Sequence, residues 1–522
     1  MLDNLKSIAG KQPDILRFNR GLERETLRVD SSGQLAVTPH PGFLGSKLCH
    51  PMITTDFSES QLELITPVQQ SVSDALNQLN DIHRFIYSGL DGEILWPASM
   101  PCTLPPSNEI PLAQYGSSNL AKLKTTYRSG LGYRYGRTMQ TICAIHYNFS
   151  FPDNFWPVLA TYEESSENID DFRTRRYFDL MRNFRRLSWL PTYLFGASPA
   201  LSDSFITGRQ HNLQRLNDQT WFLPEATSLR NGGLGYQSDT QSGLINICYN
   251  TADDYIRTLA ESICTEYTPY RDLQQDVPGI IQVNTSILQS EAEFYTTIRA
   301  KRVTSGGLNL LQALRKDGVE YIEVRLLDIN PYAPLGIDAR TIHFMDTLIL
   351  YCLLTPSPVH DDYLCKAVND NMQVVVQHGR GDVYLDDRGK QISLKTWGEA
   401  VLKDLAQVAA VLDAESASGE HGNAVTEQLR KLVNTGETPA SRMLDALQGK
   451  TFQDYAMELA HRYQTHFLDQ PLNREELESF KEMADKSRVE QAHREAVTEL
   501  PFPDYIADMH KDYQDLMENP AV

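Results

Sequence analysis

The stretch GLERETLRV, residues 21–29, alternates as a β-strand does, and it restricts the possible folds more than any other segment of the chain. Successive strand side chains point to opposite faces, so Glu23 and Glu25 share a face with Leu27 and Val29. Arg24, Thr26 and Arg28 take the other side, which reads as the solvent side. Two carboxylates roughly 7 Å apart are thus aimed along the apolar face. Burying a carboxylate is costly unless it is paired or bound to a cation. Positive charge is expected beside them.

Other segments repeat the pattern. In CAIHYNFSF (143–151), Ile145, Tyr147, Phe149 and Phe151 share one face, and Ala144, His146, Asn148 and Ser150 the other. In YIEVRLLDI (321–329), Glu323 and Arg325 oppose Ile322, Val324 and Leu326. GIIQVNTSIL (279–288) reads as a further strand. Alternation of this kind suits antiparallel strands with one packed and one polar face. Helices lie between them, as at 71–90, with apolar residues three and four apart. Beyond about residue 338 the chain reads almost wholly helical: 341–354 as a buried helix, 396–415 as an amphipathic one, 416–424 as a loop, and Thr438-Pro439 as a helix start. The acidic stretch from Glu475 to Glu518 reads as exposed helix. With no repeat and no low-complexity linker, the expectation is one compact α+β unit over residues 1–522. A sheet-containing core covers about 20–340, and a mostly helical extension, about 341–522, packs on it.

The chain has 522 residues, 68 acidic against 48 basic, and a net charge of −20. That balance speaks against general nucleic-acid binding, which needs a basic surface, but leaves small anions open. The opening residues lack the apolar run of a signal peptide, and no stretch reaches the ~18 apolar residues of a membrane span. The seven cysteines are scattered singly, which reads as reduced thiols in a cytoplasm.

Polar strand faces bring forward Glu23, Glu25, Glu63 in QLELITP, His146, and Glu323 with Arg325; Asp56 in TTDFSES precedes the Glu63 strand. Carboxylates with a single imidazole match hard divalent cations, several Mg²⁺ or Mn²⁺, better than zinc. The competing reading is the wet side of a half-exposed sheet. Against it, these acids recur without lysines, although exposed faces usually mix charges. P-loop, Rossmann, zincin and α/β-hydrolase motifs are all missing from the sequence. Carboxylate-held cations suit phosphoryl transfer, and Arg128, Arg230, Arg299 and Arg302 are candidate anion partners.

The strings RGLERETLRV, ITTDFSESQLELITP, WPASMPC, LAQYGSSN, YRSGLGYRYG, MQTICAIHYNFSFP, YLFGASPA, ATSLR and YIEVRLLDINPYAPLGID, in this order from about residue 20 to 340, resemble the proteobacterial type of the glutamate–cysteine ligase family. The resemblance implies a glutamine-synthetase-like fold, a curved antiparallel sheet wrapped by helices, with Mg²⁺ and ATP on its concave face. It implies ATP-dependent ligation of glutamate, through the acyl phosphate formed on its γ-carboxylate, to cysteine: the first step of glutathione synthesis. By position it implies metal ligands at Glu23, Glu25, Asp56, Glu63, His146 and Glu323, and Arg325 near the transferred phosphate. It places Arg128 and Arg230 on substrate carboxylates, and Phe57, Tyr127, Gln140, Tyr236 and Tyr295 around the cysteine. A cytoplasmic monomer, inhibited in feedback by glutathione and binding neither nucleic acid nor membrane, completes the expectation. The rival readings are a ligase of the same scaffold with another amine, a metal-dependent hydrolase, and a non-catalytic acidic interaction protein.

Overall fold

A computed structural model describes residues 6, 8–10, 14–235, 238–304 and 308–518. Its main sheet is built around β1, Asn19–Asp30, which is long enough to pair with three neighbours. Along one edge β1 pairs antiparallel with β3 (Gln61–Ile65), itself flanked by β2 (Ile53–Thr55); its far end pairs with β4 (Glu93–Leu95). Along the other edge it pairs with β5 (Ile145–Ser150). Next come β7 (Tyr321–Leu327) and then β6 (Ile298–Lys301), so the order is β2-β3-β1-β5-β7-β6. Glu23 sits opposite His146, Glu25 opposite Glu63, and Glu323 opposite Asn148. The alternation of 143–151 and 321–329 therefore puts the polar residues of separate strands on one face.

The other face carries Leu22, Tyr147, Phe149, Ile322 and Val324, all buried. Helix α1 (Val72–Gly89) lies behind it, started by Ser71, whose side chain accepts from the Asp74 N–H. So does α4 (Ala339–Leu354), started by Asp338 and buried along nearly its whole length. Two more helices complete the set needed below: α2 (Asn119–Tyr135) and α3 (Ile169–Leu187). Arg20 on β1 donates to Asp346 of α4 at 2.7 Å, and the Tyr147 hydroxyl donates to the same carboxylate, which is fully buried. This ties the centre of the sheet to the helix behind it. A continuous apolar core runs from Ile8 to Leu516, so the C-terminal helices share it with the sheet.

The solvent side expected for Arg24 and Arg28 is an interior. Arg24 is 2% exposed and Arg28 1%. Arg24 donates to the Pro334 carbonyl and meets His83 Nε2 at 2.7 Å. Burial pushes the Arg24 guanidinium down to about 10, and burial with the Arg24 charge keeps His83 well below its ordinary value. A neutral His83 can then accept from Arg24 while its Nδ1 donates to the Leu79 carbonyl. Arg28 pairs with Glu93 and donates to the carbonyls of Thr38, Pro39 and Glu59. Arginine is tolerated here because its fork of donors is satisfied, a property alternation cannot reveal.

Four further expectations change. Segment 279–288 is not a strand: Gly279 has φ +86°, Gln282 donates to the Tyr270 carbonyl, and Val283 N–H donates to Gln289 Oε1. Backbone pairing there is limited to an isolated bridge between Ser286 and Glu266, and before it side chains serve as the bonding partners. Residues 416–424 are only partly loop, because a helix begins at Glu420, its start held by Asp413 accepting from the His421 and Gly422 N–H groups. The C-terminal region also contains a hairpin, Tyr384–Asp387 with Lys390–Ser393. Finally, Cys248 and Cys365 are joined as a disulfide across 117 residues, so these two are not the separate thiols expected, whereas Cys102, Cys143 and Cys352 are buried free thiols.

Arg28→Lys keeps the charge but leaves buried carbonyls without donors, and should lower the unfolding free energy by about 2 kcal/mol. Urea denaturation measures it; a change within error of zero would return Arg28 to the solvent side.

Candidate functional site

On the polar face, β1 supplies Glu23 and Glu25, β3 supplies Glu63, β5 supplies His146 and Asn148, and β7 supplies Glu323 and Arg325. Ligand atoms of Glu23, His146 and Glu323 lie within 4.8 Å of one another. His146 Nδ1 is 3.0 Å from Glu23 and 3.6 Å from Glu323, and its Nε2 is 3.6 Å from Glu25. Asn148 Nδ2 donates to Glu23 at 2.7 Å, and the Ala144 N–H donates to Glu25 at 2.7 Å. Arg325 donates to Glu323 Oε1 at 2.6 Å. Glu323 Oε2 and Asn148 Oδ1 are buried acceptors with no hydrogen-bond partner. Clustered carboxylates, one imidazole and orphaned oxygens form a donor set that fits a hard divalent cation.

The charges divide into two groups. Burial would raise Glu23, but the hydrogen bond and charge of His146, with Lys301, hold it below the usual carboxylate range. Burial is likewise outweighed at Glu323, where Lys301, Arg325 and His146 hold the carboxyl well below that range. Burial and the nearby Arg325 lower His146, against the pull of the Glu23 hydrogen bond and the Glu323 charge. Glu25 goes the other way, raised well above the usual range by burial and by Asp56 and Glu63. Glu63 is pushed up to about 8 by burial and by Glu23 and Asp56. This second group holds more negative charge than its protein neighbours neutralise.

The acids are not without lysines. Lys301 Nζ lies 3.6 Å from Glu323, and Lys124 on α2 adds positive charge beside Glu63. Asn148 lay on a legible alternating strand yet was not singled out, since Asn is ordinary on a wet face, and the short strand that carries Lys301 was not read from the sequence. Asp328 was missed as well. It is fully buried, accepts from Ser228 Oγ and the Ala197 N–H, and lies 3.6 Å from Arg230.

Arg230 also donates to the Arg325 carbonyl at 2.6 Å, while its Nε has no hydrogen-bond partner. Arg128 spends its donors on the carbonyls of Asp56, Lys124 and Thr55 and lies over the Tyr115 ring, which places it beneath the Asp56 turn. Arg299 faces Glu323 across the strand pair and donates to the Ala292 and Phe294 carbonyls. Arg302 instead pairs outward with Glu320 and the Asp317 carbonyl.

Among the aromatic candidates, Gln140 Nε2 donates to the Tyr295 hydroxyl at 3.1 Å, and Tyr295 packs edge-on to Tyr135 at 5.6 Å. The Tyr127 carbonyl accepts from Gln289, whose N–H donates to the buried Glu293. Glu293 is held by Arg134 at 3.0 Å, both side chains fully buried, and by the Tyr135 hydroxyl. A side chain at Gly132 of α2 would meet the Phe57 ring at 3.4 Å, so the helix closes onto that ring. Phe57, Tyr127, Gln140 and Tyr295 thus share one wall of packed elements. Tyr236 lies outside the described residues.

The raised carboxyls set a pH dependence for the metal-free protein. Between the ordinary value of 4.5 and about 8, folded Glu63 holds a proton that the unfolded chain has released. At this group the folded state binds more protons, so the contribution of Glu63 to stability falls as pH rises through this window. In a chelator, Glu63→Gln should raise Tm more at about pH 8 than at about pH 5. An equal effect at both pH values would show that Glu63 is not forced to keep its proton.

Comparison with known proteins agrees with this architecture. The family model for glutamate–cysteine ligase matches residues 5–375. A glutamate–cysteine ligase of Pseudomonas aeruginosa is 44% identical over 519 residues, covering 99% of this chain and 98% of the relative. One from Saccharophagus degradans is 46% identical over 511 residues, covering 96% of each. The crystal structure of glutamate–cysteine ligase from Francisella tularensis in complex with AMP superposes with a TM-score of 0.90 at 31% identity, covering 96% of this chain and 98% of that one. A sheet carrying its carboxylates on one face, a matching family model and relatives aligned end to end lead to one conclusion: this chain is a ligase of the glutamate–cysteine ligase family.

Proposed function

We propose that the protein joins the γ-carboxylate of L-glutamate to the amine of L-cysteine at the expense of ATP, forming γ-glutamylcysteine, ADP and phosphate. The observation that carries this reading is the face on which Glu23, His146 and Glu323 converge within 4.8 Å beside Arg325, in a chain of this family. A carboxylate is a poor electrophile at neutral pH. Its oxygen attacks the γ-phosphorus of ATP and ADP leaves; the cysteine nitrogen then attacks the acyl carbon, phosphate leaves, and the nitrogen loses its proton.

Glu23, Glu25, Asp56, Glu63, His146 and Glu323 would hold divalent cations, Mg²⁺ or Mn²⁺, which when bound neutralise phosphate charge and spread the charge that develops in transfer. Arg325, oriented by Glu323, is placed to meet the transferred phosphoryl oxygens. Arg230, anchored between Asp328 and the Arg325 carbonyl, offers the rest of its fork to a substrate carboxylate. Arg128 is the second candidate for such a carboxylate. Phe57, Tyr127, Gln140 and Tyr295 form the proposed wall around the cysteine side chain, with Tyr236 expected beside them. The helical C-terminal region is read as part of the same catalytic unit, since it shares the core. The reaction would be the first step of glutathione synthesis, carried out by a cytoplasmic monomer open to feedback inhibition by glutathione.

Glu323→Gln keeps the shape but removes a charge, and should lower kcat about 10²–10³-fold when assayed at a temperature where circular dichroism shows the variant folded. Wild-type turnover would remove Glu323 from the site.

An assay of ADP release with glutamate and a panel of amines tests the substrate assignment. An apolar pocket distinguishes similar side chains by only about 1–3 kcal/mol, so 2-aminobutyrate should be accepted about 10–200-fold less efficiently than cysteine. Leucine should fail, and Tyr295→Ala should raise KM for the amine far more than for ATP. Preference for another amine over cysteine would favour a different ligase of this scaffold, and turnover without ATP would favour a hydrolase.

A further inference from the structure

A cavity of about 410 Å³ lies behind the sheet, away from the carboxylate face. Its sheet-side wall includes Ile145, whose neighbours at even positions, His146 and Asn148, point to the opposite face. The volume is within the usual range for small-molecule sites.

The wall carries four carboxylates (Asp328, Asp338, Glu427, Glu437) and four cations (Arg340, Arg430, Lys431, Arg442), but they are not paired one to one. Each carboxylate on its wall already has a partner. Glu427 meets Arg340 at 3.1 Å, and Glu437 meets Arg430 at 3.7 Å. Asp328 is shared with Arg230, and Asp338 accepts from the N–H and hydroxyl of Thr341 at the start of α4. Two cations on the same wall have no such match: among the described residues, neither Lys431 nor Arg442 forms an ion pair. Lys431 is only 8% exposed, donates to the Leu194 carbonyl at 2.9 Å and lies over the Phe195 ring. Burial pushes its ammonium down to about 8. Arg442 lies over the Tyr332 ring at 3.8 Å.

On the same wall and on the same helix as Lys431 stands Gln428, 1% exposed, whose Nε2 donates to the Ala424 carbonyl and whose Oε1 has no hydrogen-bond partner. A buried acceptor left unmatched costs free energy that a ligand donor would recover. We propose that this cavity binds a small organic anion, carboxylate or phosphate, which pairs with Lys431 and Arg442 and donates an N–H or O–H to Gln428 Oε1.

Thermal-shift titration of the full chain tests it, with malate (carboxylates plus a hydroxyl), succinate (carboxylates alone) and inorganic phosphate as probes. Malate or phosphate should raise Tm saturably, which decides between carboxylate and phosphate chemistry, and succinate should bind about tenfold more weakly than malate. Gln428→Leu replaces the unmatched amide with a similar shape, so it should retain basal Tm and turnover while erasing the preference for malate over succinate. Lys431→Met and the exposed Arg442→Gln should each weaken every anion that binds; the second serves even if the first fails to fold. The proposal is overturned if no probe gives a saturable shift, or if the shifts are unchanged in Gln428→Leu and Arg442→Gln, since the anions would then be bound elsewhere.

Discussion

The strand pairings that bring Glu23, Glu25, Glu63 and Glu323 to one face of the sheet also bury them, and most of the surrounding architecture answers that charge. Where cations are within reach, burial loses: Lys301, Arg325 and the His146 hydrogen bond keep Glu23 and Glu323 ionised. Where carboxylates face one another, as Glu25 and Glu63 do across β1 and β3, burial and repulsion act together and push the protons back on. The same face therefore contains one pair, Glu23 and Glu323, tuned to stay anionic and a second pair, Glu25 and Glu63, that requires an external cation to become so.

Holding such a face in register requires a rigid back. Arg20, Asp346 and Tyr147 supply it by linking β1, β5 and α4 through one buried carboxylate. Arg24 and Arg28 add to it by donating to carbonyls of the loops behind β1. A buried ion pair contributes modest net stability because desolvation offsets attraction, but breaking it leaves an uncompensated charge. Its consequence here is positional. β1 cannot slip by one residue without exchanging Glu23 and Glu25 on the site face for Arg24 and either Thr26 or Leu22.

Asp328 occupies the boundary between the two sides. It follows the end of β7, anchors Arg230 toward the carboxylate face, and forms part of the wall of the cavity behind the sheet. Its burial raises its pKa, against the pull of Arg230 and the hydrogen bonds from Ala197 and the nearby serines. Arg230 is thus positioned by a group whose own surroundings are set from both sides of the sheet.

Period-two alternation by itself determined which residues share a face, because strand geometry is local. Glu23 with Glu25, His146 with Asn148, and Glu323 with Arg325 were legible one strand at a time, and the family strings named most of the remaining candidates. The helices read at 71–90 from apolar spacing and at 341–354 from apolar content were legible for the same reason, and the structure has them at Val72–Gly89 and Ala339–Leu354. Which side of each strand is wet was not local. Arg24 and Arg28 lie inside because loops far along the chain supply their acceptors, and residues 279–288 form no strand because the Gln282 and Gln289 side chains serve as bonding partners before one isolated bridge. Lys301 beside Glu323, Asp328 beside Arg230, and Cys248 bonded to Cys365 are likewise products of packing. Pairing between residues outside one strand or helix depends on register and helix placement, which only the tertiary structure decides.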